Sequence, residues 1–73
     1  MQTLGAMRPG ESARVLRVHG AGALRLRILE MGLTPGAEVR VIKAAPLGDP
    51  IEVLVRGYTL SLRRADAALV EAG

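Results

Sequence analysis

The sequence predicts a mostly β protein: a small barrel of about five strands with one helix inserted after the first strand. Several short runs alternate apolar and polar residues, as half-buried strands do. Glycines and prolines separate these runs, and only one stretch carries apolar residues at helical spacing. Short strands at such close intervals favour a closed barrel. Closure would also remove exposed strand edges, which a domain of this size could not easily guard.

Length and composition restrict the architecture further. With 73 residues, the chain forms a single domain over residues 1–73, with its core at about 4–70. It contains no cysteine, which excludes disulfides and thiolate metal sites. The N-terminus has no apolar run of signal-peptide length, and no segment approaches the ~20 apolar residues of a membrane span. We therefore predict a cytoplasmic protein without membrane insertion.

The first part of the chain is predicted to form an N-terminal arm and a strand, which a glycine-rich segment ends. The arm spans residues 4–12, and Pro9-Gly10 predicts a type II turn within it. Residues 13–19 form the first predicted strand, with Val15, Leu16 and Val18 as its apolar residues. Gly20-Ala21-Gly22 then ends the strand and leads into the helix without a strong N-cap.

The helix and its termination are the most distinctive local pattern. Leu24, Ile28 and Met31 recur at i, i+4 and i+7 and so share one helix face. Gly32 follows directly, and glycine is the residue best suited to the left-handed conformation that ends a helix. Leu33 would then pack against Ile28, as in a Schellman motif.

A turn and a strand follow the helix. In Thr34-Pro35-Gly36-Ala37, Pro35 presets φ at the second position and Gly36 supplies the positive φ that a type II turn requires. Val39 and Val41 then begin a strand that runs to about Ala44. The remaining predicted elements are a loop at 46–50, a strand at 51–56, a tight connection or bulge at Gly57-Tyr58, a strand at 59–63, a helical turn at 64–68 and a closing strand at 69–71.

Three motifs in this order resemble the ferrous iron transport protein A (FeoA) family. They are R-x-L-E-M-G-L-x-P-G, G-D-P-I and R-G-Y-x-L-S-L-R, and the likeness covers about residues 4–70. The resemblance implies an SH3-like β-barrel with an inserted helical segment. It also implies a small cytoplasmic accessory to a membrane ferrous iron transporter that carries a GTPase domain. Metal-dependent repressors have the same fold as a C-terminal domain, but this chain carries no helix-turn-helix and resembles the freestanding form.

The residue types argue against an enzyme. The chain has one histidine, no nucleophile elbow and no P-loop, so it cannot itself be the GTPase, and we predict neither catalytic residues nor a cofactor. No metal site is predicted either, because a transition metal requires clustered ligands. The weak candidates are His19, Glu30 and Glu52, which we interpret as a surface histidine and two solvated glutamates.

Nucleic acid and proline-rich peptides are less favoured partners. The net charge is +3, but the basic residues are dispersed and most have an acidic residue nearby. Tyr58 is the only aromatic residue, so base stacking is limited and a PxxP groove cannot be built. The segment GAEVRV nevertheless resembles the G-x-x-V-x-V pattern of ribosome-associated barrels. A small-barrel RNA-binding (KOW-like) protein is therefore the alternative function.

The helix carries more apolar surface than a barrel cap needs. Leu26 and Leu29 lie nearly opposite the Leu24 face at 100° per residue. Either they pack under the N-terminal arm, on Leu4 and Met7, or they form a docking patch. In the docking interpretation the partner is the GTPase domain of the transporter, with a second copy of the chain as the alternative. The patch would comprise Leu26 and Leu29, joined by Leu54 and Tyr58.

Overall fold

The computed structural model describes residues 2–73, which form one curved antiparallel sheet with a helix against its core. The strand order is β1-β6-β2-β3-β4-β5. The mostly β fold class is confirmed, with six strands instead of five. In chain order the elements are β1 (Gln2–Thr3), a 3₁₀ turn (Leu4–Ala6), β2 (Ser12–Val18), α1 (Gly22–Glu30), β3 (Glu38–Ala44), β4 (Ile51–Val55), β5 (Tyr58–Leu62), α2 (Arg64–Ala67) and β6 (Val70–Ala72).

The additional strand is β1, which precedes the predicted arm of residues 4–12. Gln2 pairs with Ala72 and Thr3 with Glu71, so the ordered strands extend beyond the predicted core of residues 4–70. A two-residue strand has no alternation for a sequence pattern to reveal. Its position depends on β6, which lies at the far end of the chain.

Strand β2 bends the sheet into a barrel. Ser12 to Arg14 pair with β3, whereas the stretch from Val15 onward pairs with β6, with a register shift between Val15 and Arg17. A bulge of this kind increases the local twist and bends the strand. It also lets both Val15 and Val18 face the core despite their odd spacing, while Leu16 remains exposed.

The sheet does not close through strand pairing within residues 2–73, so the expectation of a barrel without edges is wrong. Strands β1 and β5 are the two ends of the sheet. The Arg64 guanidinium, just after β5, instead donates to the carbonyl of Gly5, just after β1, and to the carbonyl of Gly48. Side-chain hydrogen bonds thus connect the segments that follow the two edge strands.

The predicted turns are confirmed. The Ala37 N–H donates to the Thr34 carbonyl at 3.0 Å and Gly36 has φ +92°, as in a type II turn. Arg8 to Glu11 form the turn expected at Pro9-Gly10, with 3.0 Å between the Glu11 nitrogen and the Arg8 oxygen. The tight connection predicted at Gly57-Tyr58 lies one residue earlier: Arg56 and Gly57, both with positive φ, form a two-residue hairpin turn, and Tyr58 begins β5.

Helix α1 also ends as predicted. Gly32 has φ +102°, and its N–H donates to the Leu29 carbonyl at 3.0 Å. Ile28 is fully buried, and Leu24 and Met31 pack partly buried on the same core.

No helix within residues 2–73 has the length and apolar character needed to cross a membrane. The buried apolar side chains that form the core are Leu4, Met7, Val15, Val18, Ile28, Leu33, Ala37, Val39, Val41, Ile51, Val53, Val55, Leu62, Ala67, Val70 and Ala72.

Candidate docking surface

The two leucines expected to share a helix stripe lie in different environments. Leu26 is 56% exposed, whereas Leu29 is partly buried and packs against the core. At 100° per residue, Leu29 lies about 100° from Ile28 and Leu26 about 160° from it. The buried face of α1 is therefore wide enough to include Leu29. Leu4 and Met7 of the N-terminal segment are core residues and leave Leu26 exposed.

Leu54 lines a groove of about 460 Å³ on the outer face of the sheet. The side chain points outward because Val53 and Val55 on either side of it face the core, and it is 37% exposed. Arg40 lies opposite Leu54 on the neighbouring strand. Glu38, also on the groove wall, adds a charge of the opposite sign. The groove therefore combines an apolar floor with a charged rim, the arrangement found at the centre and edge of protein interfaces.

Tyr58 and Arg56 hold the C-terminal end of α1. The Tyr58 hydroxyl donates to the Met31 carbonyl and the Arg56 Nε to the Gly32 carbonyl, both at 3.2 Å. These bonds satisfy carbonyls that a helix end leaves without partners. The positive charge of Arg56 is also favourable there because the helix dipole is negative at its C-terminus. Half of the Tyr58 residue remains exposed, so the hairpin tip both stabilises the helix end and presents an aromatic surface.

Leu47 is an exposed apolar residue that the sequence interpretation missed. It is 97% exposed at the tip of the loop between β3 and β4. The loop is nevertheless fixed: the Gly48 N–H donates to the Ala45 carbonyl at 2.7 Å, and the Ala45 N–H donates to the Pro50 carbonyl at 2.9 Å. The flanking Pro46 and Gly48 were the available signal, since a leucine inside a turn has no strand face to bury.

The predicted docking residues fall into two groups. Leu54 and Tyr58 belong to the same β4–β5 hairpin, and the residues between them in the chain line the Leu54 groove. Leu26 lies on the outward face of α1, and Leu29 supports the helix from beneath. Of the predicted docking residues, Leu54, Tyr58 and Leu26 are exposed, and Leu16, Ile42 and Leu47 are further exposed apolar residues.

The weak metal candidates are not brought together. The Nε2 atom of His19 lies 2.9 Å from the Oε1 atom of Glu71 instead of contacting Glu30 or Glu52. Pairing of β2 with β6 explains this contact, because Val18 lies opposite Val70. No cluster of three or more histidine, cysteine or acidic residues occurs within the described range 2–73.

Several arginines bind the chain's own backbone or carboxylates. Arg14 donates to the Gly36 carbonyl and Arg25 to the Val18 carbonyl, both at 3.0 Å. Arg63 forms a two-bond ion pair with Asp66. Arg56 and Arg64 likewise use side-chain donors in intramolecular hydrogen bonds.

Comparison with known proteins gives the family. The FeoA domain model matches residues 2–72. A Fe(2+) transport protein A/Fe(2+) transporter FeoB fusion protein from Porphyromonas gingivalis is 44% identical over 68 residues. This match covers 93% of the present chain but only 8% of the fusion protein.

Solved structures agree with this relationship. The solution structure of iron(II) transport protein A from Clostridium thermocellum has a TM-score of 0.92 and 35% identity, covering 97% of this chain and 44% of that one. FeoA from Stenotrophomonas maltophilia, a prokaryotic SH3 domain protein solved with zinc, has a TM-score of 0.87 and 31% identity. It is covered over 91% of its length, and the match includes 100% of this chain. The SH3-like fold is thereby confirmed, and the chain belongs to the FeoA family.

Proposed function

We propose that this domain is a small cytoplasmic accessory protein of ferrous iron uptake that regulates a membrane ferrous iron transporter by docking on its GTPase domain. The observation that carries the proposal is the 44% identity to a segment of a fusion protein whose name joins Fe(2+) transport protein A to the transporter FeoB. Covalent attachment gives two modules a high effective concentration for one another. A domain that is not covalently attached to the transporter must bind it through a surface of its own.

The surface supports binding through apolar contacts. Leu54 lies in a groove with a charged rim, and the Tyr58 ring extends the same hairpin. Both belong to a hairpin with a tight two-residue turn, so little ordering entropy would be lost on binding. A few buried residues supply most of the affinity at protein interfaces, and tyrosine and arginine are enriched among them. We therefore propose Leu54 as the principal docking contact. Tyr58, whose pairing with Val55 puts it on the other face of the hairpin, and Leu26 on the helix would be further contacts.

A charge introduced at Leu54 tests this assignment. We expect Leu54→Glu to weaken binding to the separately produced GTPase domain at least ~10-fold. The variant loses the apolar contact, and its carboxylate, even opposite Arg40, would be desolvated in the interface. The unfolding temperature should change little, since the side chain already faces outward. Isothermal titration calorimetry gives the affinity and circular dichroism the melting temperature.

Leu16→Glu is the matched control. Leu16 is also an exposed leucine on a strand, but it lies on β2 and does not line the Leu54 groove. This variant should bind like the unmodified protein. If Leu54→Glu and Leu26→Glu both stay folded and bind normally, the docking surface is elsewhere. If the unmodified protein does not bind the GTPase domain, the proposed function itself is wrong.

A further inference from the structure

We propose that the free edge of β5 accepts an extended, acidic segment of another protein as an additional strand. β5 is one end of the sheet, and the other end, β1, is only two residues long. Edge strands are usually protected by shortness, charge, proline or a bulge. β5 has five residues, Tyr-Thr-Leu-Ser-Leu, without charge or proline, and its pairing with β4 is regular throughout.

The register of the hairpin shows which backbone groups are free. Val55 and Tyr58 flank the two-residue turn and form its closing hydrogen-bonded pair. Since bonded and non-bonded pairs alternate, Leu60 and Leu62 also bond to β4, while Thr59 and Ser61 direct their N–H and C=O groups away from it. Within residues 2–73, the backbone groups of Thr59 and Ser61 have no other hydrogen-bond partner. The free N–H and C=O groups of Thr59 and Ser61, two residues apart on one edge, can therefore pair with the backbone of an added strand.

A groove beside this edge gives the chemistry of the added segment. It has a volume of about 390 Å³ and lies between the C-terminal half of α1 and the end of β5, with Arg27 and Met31 facing Ser61. Arg27 has no carboxylate within 4.0 Å in the described part of the chain. The acid in the groove wall, Asp66, is already paired with Arg63. The groove therefore offers an unpaired cation and an apolar thioether, which favours carboxylates alternating with aliphatic side chains.

A second copy of the chain fits the same edge poorly. Antiparallel pairing of two β5 strands centred on Leu60 would bond Thr59 of each copy to Ser61 of the other. It would also place Arg63 of one copy opposite Gly57 of the other, next to Arg56. Like charges at such short cross-strand distances are destabilising, and each chain carries a net charge of +3. The occupant is therefore an acidic segment of a different protein.

This edge is distinct from the Leu54 groove, because it uses backbone groups of β5 and not the outer face of β4. The inference consequently does not depend on the transporter as partner. It can be tested with the isolated ¹⁵N-labelled protein and the synthetic peptide acetyl-Glu-Val-Thr-Val-Thr-Glu-amide as the probe. The outcome is then independent of any binding to the GTPase domain.

The expected result is specific to strand addition. The amide protons of Thr59 and Ser61 should exchange rapidly in the free protein and at least ~10-fold more slowly with saturating peptide, since hydrogen bonding protects amides from exchange. Exchange at Leu60 and Leu62 should change little, because those amides are already bonded to β4. A peptide with lysine in place of both glutamates should bind more weakly. Two peptides N-methylated at alternate residues, each blocking the N–H groups along one edge of the strand, should differ in affinity. Only the peptide whose free N–H groups point toward β5 should bind.

Ser61→Pro blocks the edge from the protein side. Proline is tolerated at an edge position whose N–H is not used in the ladder, so we expect the variant to keep the unmodified fold and to lose peptide binding. Arg27→Glu should reverse the preference between the acidic and lysine peptides. The proposal is overturned if the peptide does not bind, if Ser61→Pro binds it equally well, or if binding leaves Thr59 and Ser61 unprotected. Dimerisation that protects these two amides without peptide would assign the edge to a second copy and overturn it as well. If Ser61→Pro fails to fold, the difference between the two N-methylated peptides still tests whether the peptide adds to the edge of β5.

Discussion

Gly32 is the residue with the narrowest tolerance at the junction of helix and hairpin. Its φ of +102° is a conformation that L side chains rarely adopt. A Cβ at this position would also lie 3.2 Å from the Tyr58 hydroxyl and 3.4 Å from the Arg56 Cδ. The sequence indicated the helix stop at Gly32, but only the structure shows that a methyl group there would crowd the two side chains that cap the helix, so that these must shift by a few tenths of an ångström.

Two alanine substitutions separate the cost of the positive φ from the cost of the close contacts with Tyr58 and Arg56. Gly36 has a similar φ of +92°, but no heavy atom of residues 2–73 lies within 4 Å of a Cβ built there. Gly36→Ala should therefore show the backbone cost alone, ~1–2 kcal/mol, and Gly32→Ala should cost more. Gly32→Val should destabilise the most. Urea unfolding curves measure all three variants. Equal values for the two alanine variants would show that Tyr58 and Arg56 move aside freely.

At the scale of elements, Arg64 replaces the strand pairing that a closed barrel would have. Its side chain links the segment after β5 to the carbonyls of Gly5 and Gly48, and its N–H donates to the Asp49 carboxylate at 2.9 Å. Gly5 is buried, so its carbonyl cannot turn to water without local opening.

Arg64→Ala should therefore destabilise the domain by about 1.5–3 kcal/mol, the range for hydrogen bonds to a charged group. Arg64→Lys should recover little of this loss, because one ammonium cannot reproduce the planar, two-carbonyl geometry of the guanidinium. Arg40→Ala is the matched control, since that exposed side chain makes no hydrogen bond within the described residues. Its effect should stay within about 0.5 kcal/mol. Equal melting temperatures for Arg64→Ala and Arg40→Ala would contradict the bridging role.

Local chemistry made some elements predictable and left others hidden. Helix α1, its stop at Gly32 and the turn at Pro35-Gly36 follow from residues that are neighbours in the chain. The bulge in β2 and the strand β1 depend on β6, more than fifty residues away, and periodicity carries no information about such pairing. The candidate surface shows the same limit. Helical spacing put Leu26 and Leu29 together opposite the Leu24 face but left open whether the arm covers them. The structure exposes Leu26, and the width of the buried face, which includes Leu29, is set by neighbouring elements.

At the scale of the whole molecule, the distribution of charge disfavours nucleic acid as a partner. The arginines that bind the chain's own carbonyls and carboxylates are held in place by those contacts. We expect RNA binding to be weak, non-specific and lost at physiological salt, because dispersed contacts depend on counterion release. Fluorescence anisotropy with a labelled single-stranded RNA at about 0.15 M salt measures this. A sub-micromolar dissociation constant would favour the RNA-binding alternative over docking.

The position of β6 between β1 and β2 has a consequence for biosynthesis. The last strand of the domain is the one that joins its first two, since Ala72 pairs with Gln2 and Val70 with Val18. During translation, the β2–β5 meander can form as the chain emerges, but the sheet stays divided until Val70–Ala72 have left the ribosome. For a freestanding domain this occurs only after synthesis ends, because the exit tunnel holds the final residues until then. Where further polypeptide follows the domain, the same strand emerges early, and the barrel can be completed while the rest of the protein is still being made.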